Sequence, residues 1–521
     1  MPADATLRVD AVIVGSGFGG SIMASHLAAA GRSVLVLERG HRYHPGSFPR
    51  DVKRTDDLFW DQPGTGSRRG LYDVRAFSGI GAVVAAGVGG GSLVYANIHI
   101  RPDPVVFDDP RWPATFTRAK LDPYYNRVAA RMGVAPVPAD IALPKRDAFQ
   151  KAAAVMGRPI FDPDQAVRWS GPDMDGRRPC QLVAECEFGC QYGAKQTLDF
   201  TYLADAERDG AQVRPEVSVS HVSPEAGGGY RVHFTDLASG AESSVVGARV
   251  ILSAGTLGTA EILFRSRDGA KTLPNVSQRL GRGYSGNGDF LGSVQNSKWD
   301  LEPWRGPDVT SVMKFFDEPP RFTMAAPTFN QPVMRVLASL GQVEGAALRL
   351  IAPAWPLLKQ AVSMAFHSGL LSRPLAIPGP HAGDAARMTN LFAIGQDNAN
   401  GQMRFSGDRL DIEWAYADEN KALVDRMGQA MRDVAAAYGG TFAPLVSWTA
   451  FQRILTVHSL GGCALSADPA SGVVSLDGQV HGYPGLFVAD GSVIPTSIGF
   501  HPCMTISAVA ERISDAVVAS Y

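Results

Sequence analysis

The first forty residues change their apolar rhythm twice. Val9–Val14 is an unbroken apolar run of strand length, Gly15–Gly20 is a glycine-rich turn, and Ser21–Ala30 carries the longer period of a helix. Ser33–Glu38 then returns to a short apolar run that ends on an acid, which predicts strand, turn, helix and strand in that order. Between Val213 and Phe234 polar and apolar residues alternate, with Gly227-Gly228-Gly229 breaking the pattern, as in a meander or hairpin. Val250–Ser253 reads as a buried strand leading through Ala254-Gly255 into a helix. Near the end, Leu486–Ala489 is a further strand and Met504–Val518 a closing helix. Residues 43–80 show no clear period, residues 102–180 are polar and proline-rich, and residues 300–450 look like a separate lobe. An N-terminal nucleotide-type unit completed by C-terminal elements implies a discontinuous α/β domain.

Composition narrows the class. A chain of 521 residues suggests two lobes, and 45% apolar with 19% charged residues describes a globular protein. Lys+Arg of 49 against Asp+Glu of 51 leaves a formal charge of −2 without a basic block, so no nucleic-acid partner is expected. No run of about 18 uncharged apolar residues occurs and no secretory signal is visible, which favours a cytoplasmic location. Five cysteines do not make a disulfide framework.

Chemistry enters with the glycines. Gly15-Ser16-Gly17-Phe18-Gly19-Gly20 fits G-x-G-x-x-G directly after a strand. The first glycine permits the turn, the second a close approach of backbone to a pyrophosphate, and the third tight packing of helix on strand. Phosphates would then face the free N–H groups of the helix start. Glu38, closing the second strand, can accept hydrogen bonds from a ribose 2′-hydroxyl and argues against a 2′-phosphate. A second cluster, Gly87-Val88-Gly89-Gly90-Gly91-Ser92, suits either close approach to a flat or charged ligand or a tightly packed bend.

The C-terminal region adds Val457-His458-Ser459-Leu460-Gly461-Gly462, Ala489-Asp490-Gly491-Ser492 and Gly499-Phe500-His501-Pro502. With these in order behind the two glycine clusters, Gly193–Asp199, Ser253–Thr259 and Asn287–Asp289, the chain resembles the glucose–methanol–choline (GMC) flavoprotein oxidoreductases, in their cholesterol oxidase-like branch. The resemblance implies a Rossmann-like FAD domain interleaved with an α+β substrate domain on an antiparallel sheet. Residues 1–42, 205–292 and 470–521 are assigned to the first, and 43–204 and 293–469 to the second.

It also implies FAD, held without or, less often, with a covalent link. Its expected contacts are Gly15, Gly17, Phe18, Gly19, Gly20, Glu38, Gly89, Gly90, Gly91, Ser92, Asn97, Val217, Ala254, Gly255, Asp490, Gly491, His501 and Pro502. Val217 resembles the position whose backbone meets the adenine, and Asp490 the one beside the ribityl or pyrophosphate. His501 and Pro502 would lie beside the pyrimidine end of the flavin, where a helix start stabilises the charge left by an arriving hydride.

The implied reaction is oxidation of an alcohol, with oxygen or another acceptor taking the electrons afterwards. His458 is the leading base for the hydroxyl proton and His501 its partner on the alcohol oxygen, with the roles exchangeable. Cholesterol oxidases usually carry Asn where this chain has His501, which weakens the transfer of sterol specificity. A photodecarboxylase-like lyase and a non-catalytic flavoprotein remain as alternative readings.

No metal is expected: Cys180, Cys186 and Cys190 lack a fourth ligand and paired spacing. Met334–Leu371 is mainly apolar and reads either as core helices broken by proline or as a lid that shelters a greasy substrate or rests on a membrane. With the cholesterol oxidase resemblance it points to a bulky apolar alcohol, such as a sterol or terpenoid. For a sterol, the resemblance puts the position of the carboxylate that shuttles a proton during double-bond migration on Ala385, so oxidation without migration is expected, with the adjacent Asp384 able to replace it after a small shift in register.

Overall fold

A computed structural model describes residues 7–50, 55–60, 69–331, 333–334, 384–444, 448 and 453–521. Of the apolar Met334–Leu371 segment, everything after Met334 lies outside the described residues.

A parallel sheet forms first around the glycine turn. Its five parallel strands run Gln212–Arg214, Val34–Leu37, Arg8–Val14, Glu242–Leu252 and Leu486–Val488 across the sheet. Both faces of Val34–Leu37 and Leu486–Val488 are covered, which is why they read as continuous apolar runs without alternation. The alternating segment becomes an antiparallel hairpin, Val217–Pro224 with Tyr230–Asp236, joined to the first half of Glu242–Leu252. That strand therefore changes partners along its length. Its start pairs antiparallel with the hairpin and its end pairs parallel with Arg8–Val14 and Leu486–Val488.

A second sheet is antiparallel throughout. Its order is Thr441–Pro444, Phe290–Gln295, Thr389–Gly395, Phe322–Ala325, Val312–Phe315 and Ile160–Phe161. The Lys421–Ala437 helix packs on it through Leu423, Val424, Met427 and Met431. Among the described residues there are two smaller three-stranded sheets. One joins Leu455–Thr456 in parallel to the hairpin Tyr72–Ala76 and Gly81–Ala85, and so fixes the strand that leads into His458.

The polar stretch 102–180, in which no helix is legible from periodicity, holds two: Arg118–Met132 and Pro144–Val155. The first buries only Leu121, Tyr125, Val128 and Met132, a narrow stripe at helical spacing within an otherwise charged segment. Thr117 caps its start by accepting from the Lys120 N–H.

The helix Cys503–Ala519 closes the chain against the first helix, Phe18–Ala29. Glu511, almost fully buried, joins them. One carboxylate oxygen lies 2.9 Å from His26 Nε2 and the other accepts from the Tyr202 hydroxyl at 2.7 Å. Burial pushes this carboxyl up, yet the bonds to His26 and Tyr202 and the Arg127 charge hold it below its usual range. Because the folded state favours the charged form, the contribution to stability is full above the ordinary value of 4.5 and is lost as the pH falls. Glu511→Ala strands the Tyr202 hydroxyl in the core and should cost about 1–3 kcal/mol, read as a lower denaturation midpoint near neutral pH. The gap between variant and parent should narrow in acid. An unchanged midpoint at neutral pH would mean that Glu511 does not hold the two helices together.

Candidate active site

The carboxyl ends of the parallel strands share one edge, the place where doubly wound sheets bind ligands. Gly15 follows Val14, Glu38 follows Leu37, Ser253 and Ala254 follow Leu252, and Ala489 and Asp490 follow Val488. Gly15 takes φ +94°, and a Cβ there would lie 2.3 Å from the Ser253 carbonyl oxygen. Gly20 faces the Gly15 carbonyl at 2.0 Å in the same sense, and Gly19 the Ala489 carbonyl at only 1.5 Å. Gly19 is thus demanded by the C-terminal chain. Gly17 differs: a Cβ there would meet nothing within 4 Å, so its backbone borders open space at the start of the helix. Phe18 opens that helix and makes an edge contact with Tyr95.

The second glycine cluster bends over this turn. Gly90 takes φ +53°, and a Cβ on it would lie 2.7 Å from the Gly17 Cα, so Gly90 cannot carry a side chain here. Ser16 ties the two loops together, accepting from the Gly89 N–H at 3.0 Å and donating to Glu38 at 2.6 Å. Glu38 also accepts from the N–H groups of Ser16 and Gly40 at 3.0 and 2.9 Å, so part of its acceptor capacity is spent bracing the turn. Ser92 donates to the Gly89 carbonyl and accepts from the Leu198 N–H, which leaves Gly91 between braced neighbours.

Asn97, four residues beyond the loop's 3₁₀ turn, takes φ +66° and is fully buried, with neither its amide nitrogen nor its oxygen bonded to any described group. Leaving both ends of a buried amide unmet is costly unless a ligand meets them. Val217 is buried and its N–H bonds to the Glu38 carbonyl. Asp490 points back into the protein. It accepts from the Ser492 N–H and hydroxyl at 2.9 and 2.6 Å and from the Thr259 hydroxyl at 2.5 Å, clamping Gly491 onto the Gly255–Phe264 helix. Burial lifts its carboxyl above the usual range against the pull of these donors. Gly255 takes φ +77° with open space where a Cβ would stand.

His458 and His501 meet across a small aromatic corner. Their ring centroids lie 5.4 Å apart and nearly perpendicular. Phe392, from the second sheet, stacks on His458 at 5.5 Å and meets His501 edge-on at 6.2 Å. Phe500, next to His501 in the chain, packs on Phe316 with ring centroids 4.6 Å apart. His501 immediately precedes Pro502, the N-cap of the last helix. Its Nδ1 is buried and meets no partner among the described residues, and burial, reinforced by the neighbouring His458, pulls its pKa well below 6.5.

One turn, Ser285–Asp289, serves both histidines. The Asn287 side chain donates to the Phe500 carbonyl at 2.8 Å and accepts from the Ile498 and Gly499 N–H groups, fixing the segment that delivers His501. Asp289 lies 2.8 Å from His458 Nδ1. The buried Asp397 clasps the turn by accepting from the Ser285 hydroxyl and the Gly286 and Gly288 N–H groups. From sequence, Asn287 and Asp289 stood out only as a motif in register. Nothing local pairs Asp289 with a residue 169 positions away, and nothing local brings in Phe392.

Family models agree with this architecture. The N-terminal model of the GMC oxidoreductases matches residues 10–283 and the C-terminal model residues 397–510. The chain belongs to the GMC oxidoreductase family. It is 28% identical to a cholesterol oxidase of Acinetobacter baumannii over 96% of this chain and 93% of that one. To a cholesterol oxidase of Mycobacterium tuberculosis it is 29% identical over 96% and 90%. Among solved structures, pyridoxine 4-oxidase from Mesorbium loti superposes with a TM-score of 0.63 at 18% identity, covering 98% of this chain and 99% of that one.

As a GMC oxidoreductase, the protein is an FAD-dependent enzyme acting on CH–OH groups. The residues fit that cofactor: a side-chain-free backbone at Gly17, a second glycine loop closed over it, and buried polar atoms of Asn97 and His501 that meet no partner among the described residues. Cys186 and Cys190 lie near Lys195, whose ammonium donates to the carbonyls of Leu93, Tyr95 and Cys186 and so braces the second glycine loop.

Gly17→Val should fill the open space at the helix start and lower the FAD content of the purified protein, read from the ratio of flavin to protein absorbance. Full loading of a folded Gly17→Val variant would move the pyrophosphate elsewhere.

Proposed function

We propose that this GMC oxidoreductase oxidises a bulky apolar alcohol, a sterol or terpenoid, to the ketone or aldehyde. In this reading His458 takes the hydroxyl proton and His501 holds the alcohol oxygen. The observation that carries it is the perpendicular His458–His501 pair, with His501 at the start of the last helix. An alcohol releases hydride readily only as its O–H proton leaves, and an imidazole is a suited acceptor near neutral pH. FAD, when bound, supplies the hydride acceptor.

The resident groups divide the remaining work. His501, kept neutral by burial, has an open Nδ1 and can hydrogen-bond the alcohol oxygen without carrying charge of its own. Phe392 walls both rings, which excludes water from the proton path and favours an apolar substrate. The N–H groups at the start of Cys503–Ala519 favour negative charge beside His501. Glu38, Asp490 and Val217 are the proposed neighbours of the adenosine and ribityl parts, and Gly15–Gly20 with Gly89–Ser92 those of the pyrophosphate and ring. The proposed FAD-binding part is residues 1–42, 205–292 and 470–521, with the substrate side in 43–204 and 293–469. The cholesterol oxidase relatives support a sterol as the first candidate. Oxygen or another acceptor takes the electrons, and the oxidase relatives favour oxygen as the first candidate. A peripheral contact with a membrane would suit a greasy substrate, and among the described residues no helix is long and apolar enough to cross one.

His458→Ala should keep its flavin spectrum while anaerobic reduction by alcohol slows by roughly 10²–10⁴-fold, the usual worth of a positioned base. His501→Asn should also slow reduction. Since His501 titrates below 6.5, the shape of the pH–rate profile between about 6.5 and about 9 should survive that change. Wild-type rates in both variants would make the pair structural, and an ionisation lost from that range in His501→Asn would show that His501 carries charge in turnover.

A bleaching panel of cholesterol, long-chain and aryl alcohols, choline and glucose tests the substrate class. Reduction by apolar members is expected, with cholesterol giving the ketone whose double bond has not migrated. Ala385 is buried beside Met334 and Met388 and offers no carboxylate for migration. Turnover of glucose or choline alone would overturn the assignment.

A further inference from the structure

We infer that Asp289 is a positioning residue that fixes the tautomer of His458, leaving Nε2 as the nitrogen that faces the alcohol. The inference rests on the reading of His458 as the base and adds the residue that makes it one. Asp289 is fully buried and carries two acceptor oxygens. One lies 2.8 Å from His458 Nδ1. The other accepts from the Val457 N–H at 2.9 Å and lies 2.9 Å from the Thr456 hydroxyl, whose single hydrogen it shares with the Gly286 carbonyl. The Thr456 hydroxyl in turn accepts from the His458 N–H at 2.9 Å. Strand end, backbone and ring are therefore locked to one carboxylate.

A carboxylate only accepts, so the ring nitrogen facing it must carry the hydrogen. Nε2 is then bare and can take a proton. The imidazolium formed when it does so keeps its bond to Asp289, and the positive charge sits beside a buried negative one. The other charged or titratable groups around this pair are His501, itself neutral, Asp397 behind the same turn, and the buried phenols of Tyr284 and Tyr416. None of them bonds to either nitrogen of His458, so the carboxylate alone sets the tautomer among the described residues.

Asp289→Asn makes the point sharply because its two ends are no longer alike. The oxygen that receives the Val457 N–H cannot be replaced by an NH₂ group without setting donor against donor. The amide therefore keeps its oxygen on that side and turns its NH₂ toward Nδ1. Nδ1 becomes an acceptor, the ring hydrogen moves to Nε2, and the base is blocked while the packing survives.

The test uses the FAD-loaded enzyme. Nitrogen-15 spectra of the histidine side chains, with the His458 signal identified by its loss in His458→Gln, should show hydrogen on Nδ1 in the wild type and on Nε2 in Asp289→Asn. Anaerobic reduction by the fastest alcohol of the panel should slow at least about 10²-fold in Asp289→Asn, with FAD content unchanged, as when an orienting carboxylate is exchanged for its amide. Hydrogen on Nε2 in the wild type overturns the inference even if Asp289→Asn does not fold. Wild-type rates in a folded Asp289→Asn overturn it equally. If His458→Gln itself reduces at the wild-type rate, the assignment of the base falls instead, whatever the tautomer.

Discussion

The backbone of Gly19 rests against the carbonyl of Ala489, so close that a single added carbon would stand 1.5 Å from the oxygen. Around this contact the two ends of the chain become one unit. Leu486–Val488 joins the sheet beside residues 250–252, the Ser253 hydroxyl bonds the same Ala489 carbonyl, and Asp490 turns into the Gly255–Phe264 helix. The last helix can then lie on the first, with Glu511 bridging to His26, and His501 arrives at the helix start. A side chain at Gly19 would push the C-terminal segment off the sheet and carry the histidine away with it.

The two large sheets divide the labour. The parallel one gathers glycine turns and acids along its carboxyl edge, where helix starts favour phosphate and developing negative charge. The antiparallel one supplies shape: Phe392 walls the histidines and Thr323 bonds the Gly499 carbonyl. Between them, the Ser285–Asp289 turn grips His458 through Asp289 and the His501 segment through Asn287. One short turn, clasped by Asp397, thereby sets the spacing of the pair.

Burial accounts for the chemistry of the corner as much as geometry does. In a site closed to water, hydrogen bonds and charges act at short range and with greater strength. The same burial keeps His501 neutral and encloses the Asn97 amide, which meets no partner among the described residues. Such groups are expensive in a finished core and sensible beside a ligand that completes their bonding.

Much of this was legible in the chain. The strand–turn–helix–strand opening, the hairpin after Val213, the Val250–Ser253 strand and the closing helix all follow from local period and turn chemistry, because each is decided by neighbours in sequence. The order of motifs was enough to indicate the family and its FAD. The helices at Arg118–Met132 and Pro144–Val155 escaped, since narrow apolar stripes inside charged segments give little local signal. What only the tertiary structure decided is which distant groups touch: Gly19 with Ala489, Gly90 with Gly17, Phe392 with both histidines, and Asp289 with His458. Those pairings depend on how two sheets close around one edge, and a linear pattern carries no record of a contact made through space by residues far apart along the chain.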